Sequence, residues 1–127
     1  PAEDVPSPRG AAPLSLEGSI IDRRRYSQTT NVAGADGGGT DDGVVLRWHF
    51  SSGPVMLTVR VYSEAGALLG ELFDHEMIPA SGSWVLDGRL SSGEMLSPGR
   101  YILLGTWAYL EGDRTRTGKQ KLVVGVR

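Results

Sequence analysis

The run VVLRWHF, Val44 to Phe50, alternates without a slip: Val44, Leu46, Trp48 and Phe50 fall on one side, Val45, Arg47 and His49 on the other. Period two fits a pleated strand with one face in a core, whereas a helix would scatter those four apolar side chains around its axis. After SSGP (Ser51–Pro54) the pattern returns in MLTVRVYS (Met56–Ser63), where Leu57, Val59 and Val61 oppose Thr58, Arg60 and Tyr62. EAGA (Glu64–Ala67) reads as a hairpin turn with Gly66 at positive φ, leading into a returning strand LLGELF (Leu68–Phe73).

The rest of the chain obeys the same grammar. LSLEGSII (Leu14–Ile21) is a first strand and SWVLDG (Ser83–Gly88) a short one ending in an Asp-Gly turn. RYILLGTWAYL (Arg100–Leu110) is a long strand, a turn falls at Glu111–Arg114, and KLVVGV (Lys121–Val126) closes the chain. With 18 glycines and 7 prolines among 127 residues, the sequence is cut into short elements, and no ten-residue helical period survives between the turns. Strands at such spacing describe a two-sheet sandwich rather than a βαβ fold.

PAEDVPSPRGAAP, Pro1 to Pro13, holds four of the seven prolines and one large aliphatic residue, Val5. That is the make-up of a semi-extended linker, which implies either the end of a longer protein or a flexible arm on a complete small one. The domain is therefore expected over 14–127. A net charge of −2 gives no cationic field for a phosphate backbone, so nucleic acid is not an expected partner, and DRRRY (Asp22–Tyr26) reads as solvated charge at a strand end. The absence of cysteine excludes disulfides, thiolate metal sites and thiol nucleophiles. No apolar segment reaches the roughly 20 residues of a membrane span, and no signal-peptide order is present near Pro1.

Candidate chemistry is sparse. His49 falls on an exposed strand face and His75 in a loop, and two separated histidines do not supply a zinc ligand set. The loop TTNVAGADGGGTDDG (Thr29–Gly43) places Asp36, Asp41 and Asp42 among glycines. Such a loop is either a site for a hard cation, calcium being the natural choice, or a solvated turn whose carboxylates cap backbone amides. GADGGG lacks the Lys-Ser/Thr and the following helix of a phosphate loop. Trp107 and Tyr109 share one face of the long strand, and with Tyr62 they offer either core packing or a sugar-stacking platform. In SPGRYIL (Ser97–Leu103), Pro98 fixes φ, Gly99 permits a positive-φ step and Tyr101 opens the strand, so the segment reads as a turn feeding a strand.

Four segments, taken in order, resemble a known family. ADGGGTDDGVVLRW resembles the Asp/Gly-rich loop and following strand of FlgD-like immunoglobulin-type domains, and LTVRVYSEAGALLGEL their next hairpin. LDGRLSSGEMLSPGRYIL resembles their WDG segment with its later G-x-Y-x-L, and KQKLVV their closing strand. Two departures stand out. Gly38 occupies the place of a second loop Asp, and Leu86 that of the WDG tryptophan, with Trp84 two residues earlier as the expected source of the core ring.

The resemblance implies an all-β, immunoglobulin-like antiparallel β-sandwich of about seven strands. It further implies a non-catalytic C-terminal domain of a larger secreted or surface bacterial protein. Similar domains serve as sorting signals of type IX secretion, follow lamin-tail domains, or form part of a flagellar hook-capping scaffold. The expected role is a sorting or anchoring signal read by a secretion or cell-surface apparatus, with Pro98, Gly99, Tyr101, Lys119, Lys121 and Arg127 as recognition residues. A carbohydrate-binding or purely structural accessory module, with polysaccharide as partner in the first case, is the alternative.

Overall fold

The computed structural model describes residues 12–22 and 44–127. The acidic loop with Asp36, Asp41 and Asp42, and the linker as far as residue 11, lie outside the described residues. Eight strands follow one another: β1 (Leu14–Glu17), β2 (Ile20–Ile21), β3 (Val44–His49), β4 (Val55–Ser63), β5 (Leu68–Ile78), β6 (Ser81–Leu86), β7 (Gly99–Glu111) and β8 (Arg114–Val126). They form a three-stranded sheet, β1-β3-β6, and a five-stranded sheet, β2-β8-β7-β4-β5. That wiring is immunoglobulin-like: the chain crosses from one sheet to the other between β3 and β4, and β7 and β8 form the last hairpin.

The alternation read from the sequence sets the core. Val44, Leu46, Trp48 and Phe50 from one sheet face Val55, Leu57, Val59 and Val61 from the other, and Tyr101, Leu103, Val124 and Val126 extend that layer. Each such aliphatic side chain contributes about 1.5–3 kcal/mol on burial. Leu90 and Leu96, in the long connection between β6 and β7, plug the layer from the side.

Four sequence expectations change. Leu14–Ile21 is two strands, because Gly18 at φ +93° turns the chain from one sheet to the other. The fold is antiparallel except where β2 lies parallel to β8 at Ile20–Gly125 and Ile21–Val126. Strand β5 runs on to Ile78 and includes His75, which the sequence placed in a loop. Three register shifts against β4 mark bulges in β5, and at one of them His75 takes φ +54° while its N–H donates to the buried Thr58 hydroxyl at 3.1 Å. Finally, Trp84 is not a core ring: it is 54% exposed, Leu86 is buried, and the buried tryptophan is Trp48. Trp48 lies across the backbone of its cross-strand partner Gly82, where an added Cβ would meet the ring at 2.5 Å.

The SPGRYIL segment is a corner. The Tyr101 hydroxyl donates to the Ser97 carbonyl at 2.6 Å and its ring is only 8% exposed, which is the tyrosine-corner arrangement of immunoglobulin-type sandwiches.

A second clasp joins the sheets. The Leu14 N–H donates to Gln120 Oε1 at 3.1 Å, and Gln120 Nε2 donates to the Leu14 carbonyl at 2.7 Å. Because Pro13 is the neighbour bonded to His49, the two polar groups of Leu14 face away from β3, and one side-chain amide on β8 satisfies both. Gln120→Met keeps the volume and removes both bonds, so chemical denaturation should show a loss of about 1–3 kcal/mol, against less than about 0.5 kcal/mol for Lys121→Met on the exposed face.

Candidate functional site

Strands β7 and β8 outrun the three-stranded sheet, so the inward face of their hairpin emerges from the core at one end of the sandwich. Type II′ geometry, with Gly112 first at φ +65°, closes that hairpin. There Trp107, Tyr109, Arg116 and Gly118 floor an open groove of about 540 Å³, and Pro13, His49, Phe50 and Ser51 wall it. Phe50 meets Trp107 and Tyr109 edge-on, each at a centroid distance of 5.5 Å. Trp107 lies on the backbone of its partner Gly118, where an added Cβ would stand 2.6 Å from the indole. The two rings are therefore half-buried packing elements at the groove's floor. Tyr62 lies on the opposite face of the sheet, paired with Ile102, so the expected three-ring platform does not assemble.

A polar relay rims the groove. Ser51 Oγ donates to Glu111 Oε2 at 2.6 Å, Arg116 Nε donates to Glu111 Oε1 at 2.9 Å, and the Tyr109 hydroxyl stands 3.3 Å from Ser51 Oγ. The Ser51 hydroxyl first, and the Arg116 guanidinium second, hold the Glu111 carboxyl below its ordinary value of 4.5. A carboxylate so held stays ionised and accepts hydrogen bonds; it is poorly placed to deliver a proton near neutrality.

A neighbouring contact was not legible in the sequence. His49 and Ser81 are cross-strand partners, and His49 Nδ1 lies 2.8 Å from Ser81 Oγ. A base beside a hydroxyl is the first half of a nucleophilic dyad, yet no carboxylate is bonded to the imidazole's other nitrogen among the described residues. His75 pairs with its neighbour Asp74 at 2.8 Å, away from His49. No cluster of three or more His, Cys, Asp or Glu side chains suited to a metal occurs among the described residues.

The six expected recognition residues separate into three groups. Tyr101 is inside, as the corner. Pro98, Gly99 and Arg127 sit together at the end where β2 pairs with β8, and the Arg127 N–H donates to the Ile21 carbonyl at 2.8 Å. Lys119 and Lys121 project from the outward face of β8, about 20 Å away along the strand. Gly125 and Arg127 donate their N–H groups to the carbonyls of Ser19 and Ile21. By the alternation of an antiparallel ladder, Thr115, Thr117, Lys119, Lys121 and Val123 likewise turn their backbone groups away from β7. Among the described residues nothing pairs with these five, and within that set β8 is a free sheet edge over most of its length.

No family model matches the chain, and no curated protein matches it. Among solved structures, FLGD from P. aeruginosa is similar with a TM-score of 0.38 and 22% identity, over 64% of this chain and 59% of that one. The chain thus spans 59% of that structure's length. A likeness of that degree decides nothing further, and the sandwich rests on the strand order given above. No described helix is long and apolar enough to cross a membrane.

Two measurements probe the groove. Gly118→Ala should cost about 1–3 kcal/mol by forcing the Trp107 ring away, and should cost little in a Trp107→Ala background, so a double-mutant cycle reads the contact directly. Glu111 binds its proton less tightly folded than unfolded, so it adds stability above its ordinary 4.5 and loses that contribution as pH falls through the lowered folded value. Glu111→Gln should accordingly melt below wild type at about pH 7, and the gap should close as pH falls below 4.5 through the lowered folded value.

Proposed function

We propose that this chain is a non-catalytic, immunoglobulin-like module of a larger secreted or surface bacterial protein, and that it serves as a sorting or anchoring signal read by a secretion apparatus of the type IX kind. One observation carries the reading: among the described residues β8, the closing strand, offers a long free edge bearing Lys119 and Lys121. A free edge is the simplest handle a folded sandwich can present, since its unpaired N–H and C=O groups accept a strand from a partner. The resemblance of KQKLVV and SPGRYIL to the corresponding segments of FlgD-like domains supports the same reading. The loop of Asp36, Asp41 and Asp42 remains a proposed calcium site in that family setting.

Catalysis and glycan binding have less support. The Ser81–His49 contact has no orienting group among the described residues, and the Glu111 carboxylate is held by Ser51 and Arg116. Trp107 and Tyr109 are engaged by Phe50 and Gly118, which explains the rings without a ligand.

The test is export of a reporter fused to residues 1–127 in a bacterium with a working type IX system. Cutting away the end of β8 would strip its ladder with β7 and confound folding with recognition. The informative variant is Lys119→Glu with Lys121→Glu, both exposed. The wild-type fusion should reach the surface or medium, and the variant should be exported at least about fivefold less with its melting temperature within about 2 °C of wild type. Retention of both fusions inside the cell would leave a structural spacer.

A further inference from the structure

The sandwich treats its edges unequally. Strand β5 is broken by three register shifts, and its Glu71 carbonyl is capped by the Ser91 N–H at 2.7 Å. Leu90 packs over Gly70 beside it. Strand β1 has four residues and β6 has six, and the Gln120 clasp occupies the outward groups of Leu14. Bulges, brevity and coverage are the usual ways in which a protein disarms an edge. Among the described residues, β8 shows none of them from Thr115 to Val123: the strand is 13 residues long and keeps one register against β7 from Gly99–Val126 to Glu111–Arg114. Only Ile20 and Ile21 pair with its outer side among the described residues.

Among the described residues, charge is the guard that β8 carries along this stretch. From Arg114 to Arg127 the sequence RTRTGKQKLVVGVR carries five basic residues and no acidic one. Arg116 is engaged by Glu111, whereas Lys119 and Lys121 make no ion pair among the described residues. Two copies meeting edge to edge along this stretch would bring like charges face to face, which opposes self-pairing. A strand with carboxylates at alternate positions meets the same edge with the opposite sign.

We infer that the β8 edge from Thr115 to Lys121 takes an added strand from an extended acidic segment of a partner protein. The inference rests on the docking reading above and names the partner's chemistry. Main-chain bonds would run to Thr115, Thr117, Lys119 and Lys121, whose backbone groups face outward. Side chains of the added strand alternate between two surroundings. On the outer face they lie beside Lys119 and Lys121, where carboxylates fit. On the inner face they pass Gly118, whose backbone is covered by the Trp107 ring, and an aliphatic side chain there would pack against the edge of that ring at the mouth of the groove. The segment recognised therefore alternates acidic with apolar residues over about four pairs.

The probe is the fluorescein-labelled peptide (Glu-Val)4, titrated by anisotropy against the 127-residue chain, with (Lys-Val)4 as control. Thr117→Pro removes an outward N–H and no bond of the β7–β8 ladder, so it should block strand addition and leave the fold intact. Expected are saturable binding of (Glu-Val)4 alone, at least tenfold weakening by Thr117→Pro, and slowed exchange of the Thr115, Thr117, Lys119 and Lys121 amides when the peptide is bound. The exchange pattern on wild type decides the matter even where the proline variant fails to fold. Absence of (Glu-Val)4 binding, equal binding to a folded Thr117→Pro chain, or binding without protection of those amides would overturn the inference. Export of the Thr117→Pro fusion separates the two readings: lost export without peptide binding removes the acidic strand alone, and intact export with blocked peptide binding removes the sorting role alone.

Discussion

Everything distinctive about this sandwich follows from the place where the chain changes sheets. Between Glu17 and Ile20 it crosses from β3's flank to β8's, through Gly18 at φ +93°. A crossing so late leaves only two residues to pair with β8, so the remainder of that strand has no neighbour on its outer side among the described residues. The same crossing leaves Leu14 at a sheet margin with two outward polar groups, and Gln120 answers both. One backbone turn thereby sets the free edge, the clasp beside it and the opening through which the groove reaches solvent.

Two tryptophans then fix how the layers close. Trp48 crosses Gly82 in the three-stranded sheet, and Trp107 crosses Gly118 in the five-stranded sheet; each pair is directly opposite in register. A ring laid over a glycine shields backbone that would otherwise lie open, and it leaves the ring no freedom to tilt. Phe50 stands against Trp107, while Trp48 meets Phe73 edge-on at 6.0 Å. The core therefore ends in an aromatic margin rather than fading into loops, and that margin is what gives the groove a floor.

Sequence made the interior legible and the margins obscure. VVLRWHF and the inner set Leu57, Val59 and Val61 announced themselves because one side of each strand is covered and the other is wet. The first half of β8, TRTGKQ, shows no alternation because it lies beyond the three-stranded sheet and neither face is fully covered. Strand β5 past Phe73 was missed for a related reason: its bulges shift the period at Asp74–His75, so no two-residue pattern survives. Trp84 misled because a tryptophan two places from the expected one shares its strand face, yet the sheet ends there and the ring lies 54% exposed against Phe73. The candidate site was less legible still. Leu14 and Gln120 are 106 residues apart, and His49 and Ser81 are 32 apart, so neither contact leaves a local trace.

The basic residues of β8 serve two ends with one arrangement. Lysines on a long, regular edge are the ordinary defence against pairing with a copy of the same chain. That defence works through sign, whereas a bulge or a covering loop works through shape. Shape excludes every strand, whereas sign repels cationic strands and favours acidic ones. Strand β5 is closed by shape and β8 by sign, within one sheet. An edge left regular, long and guarded by charge alone is therefore selective rather than sealed, and its selectivity points to acidic strands.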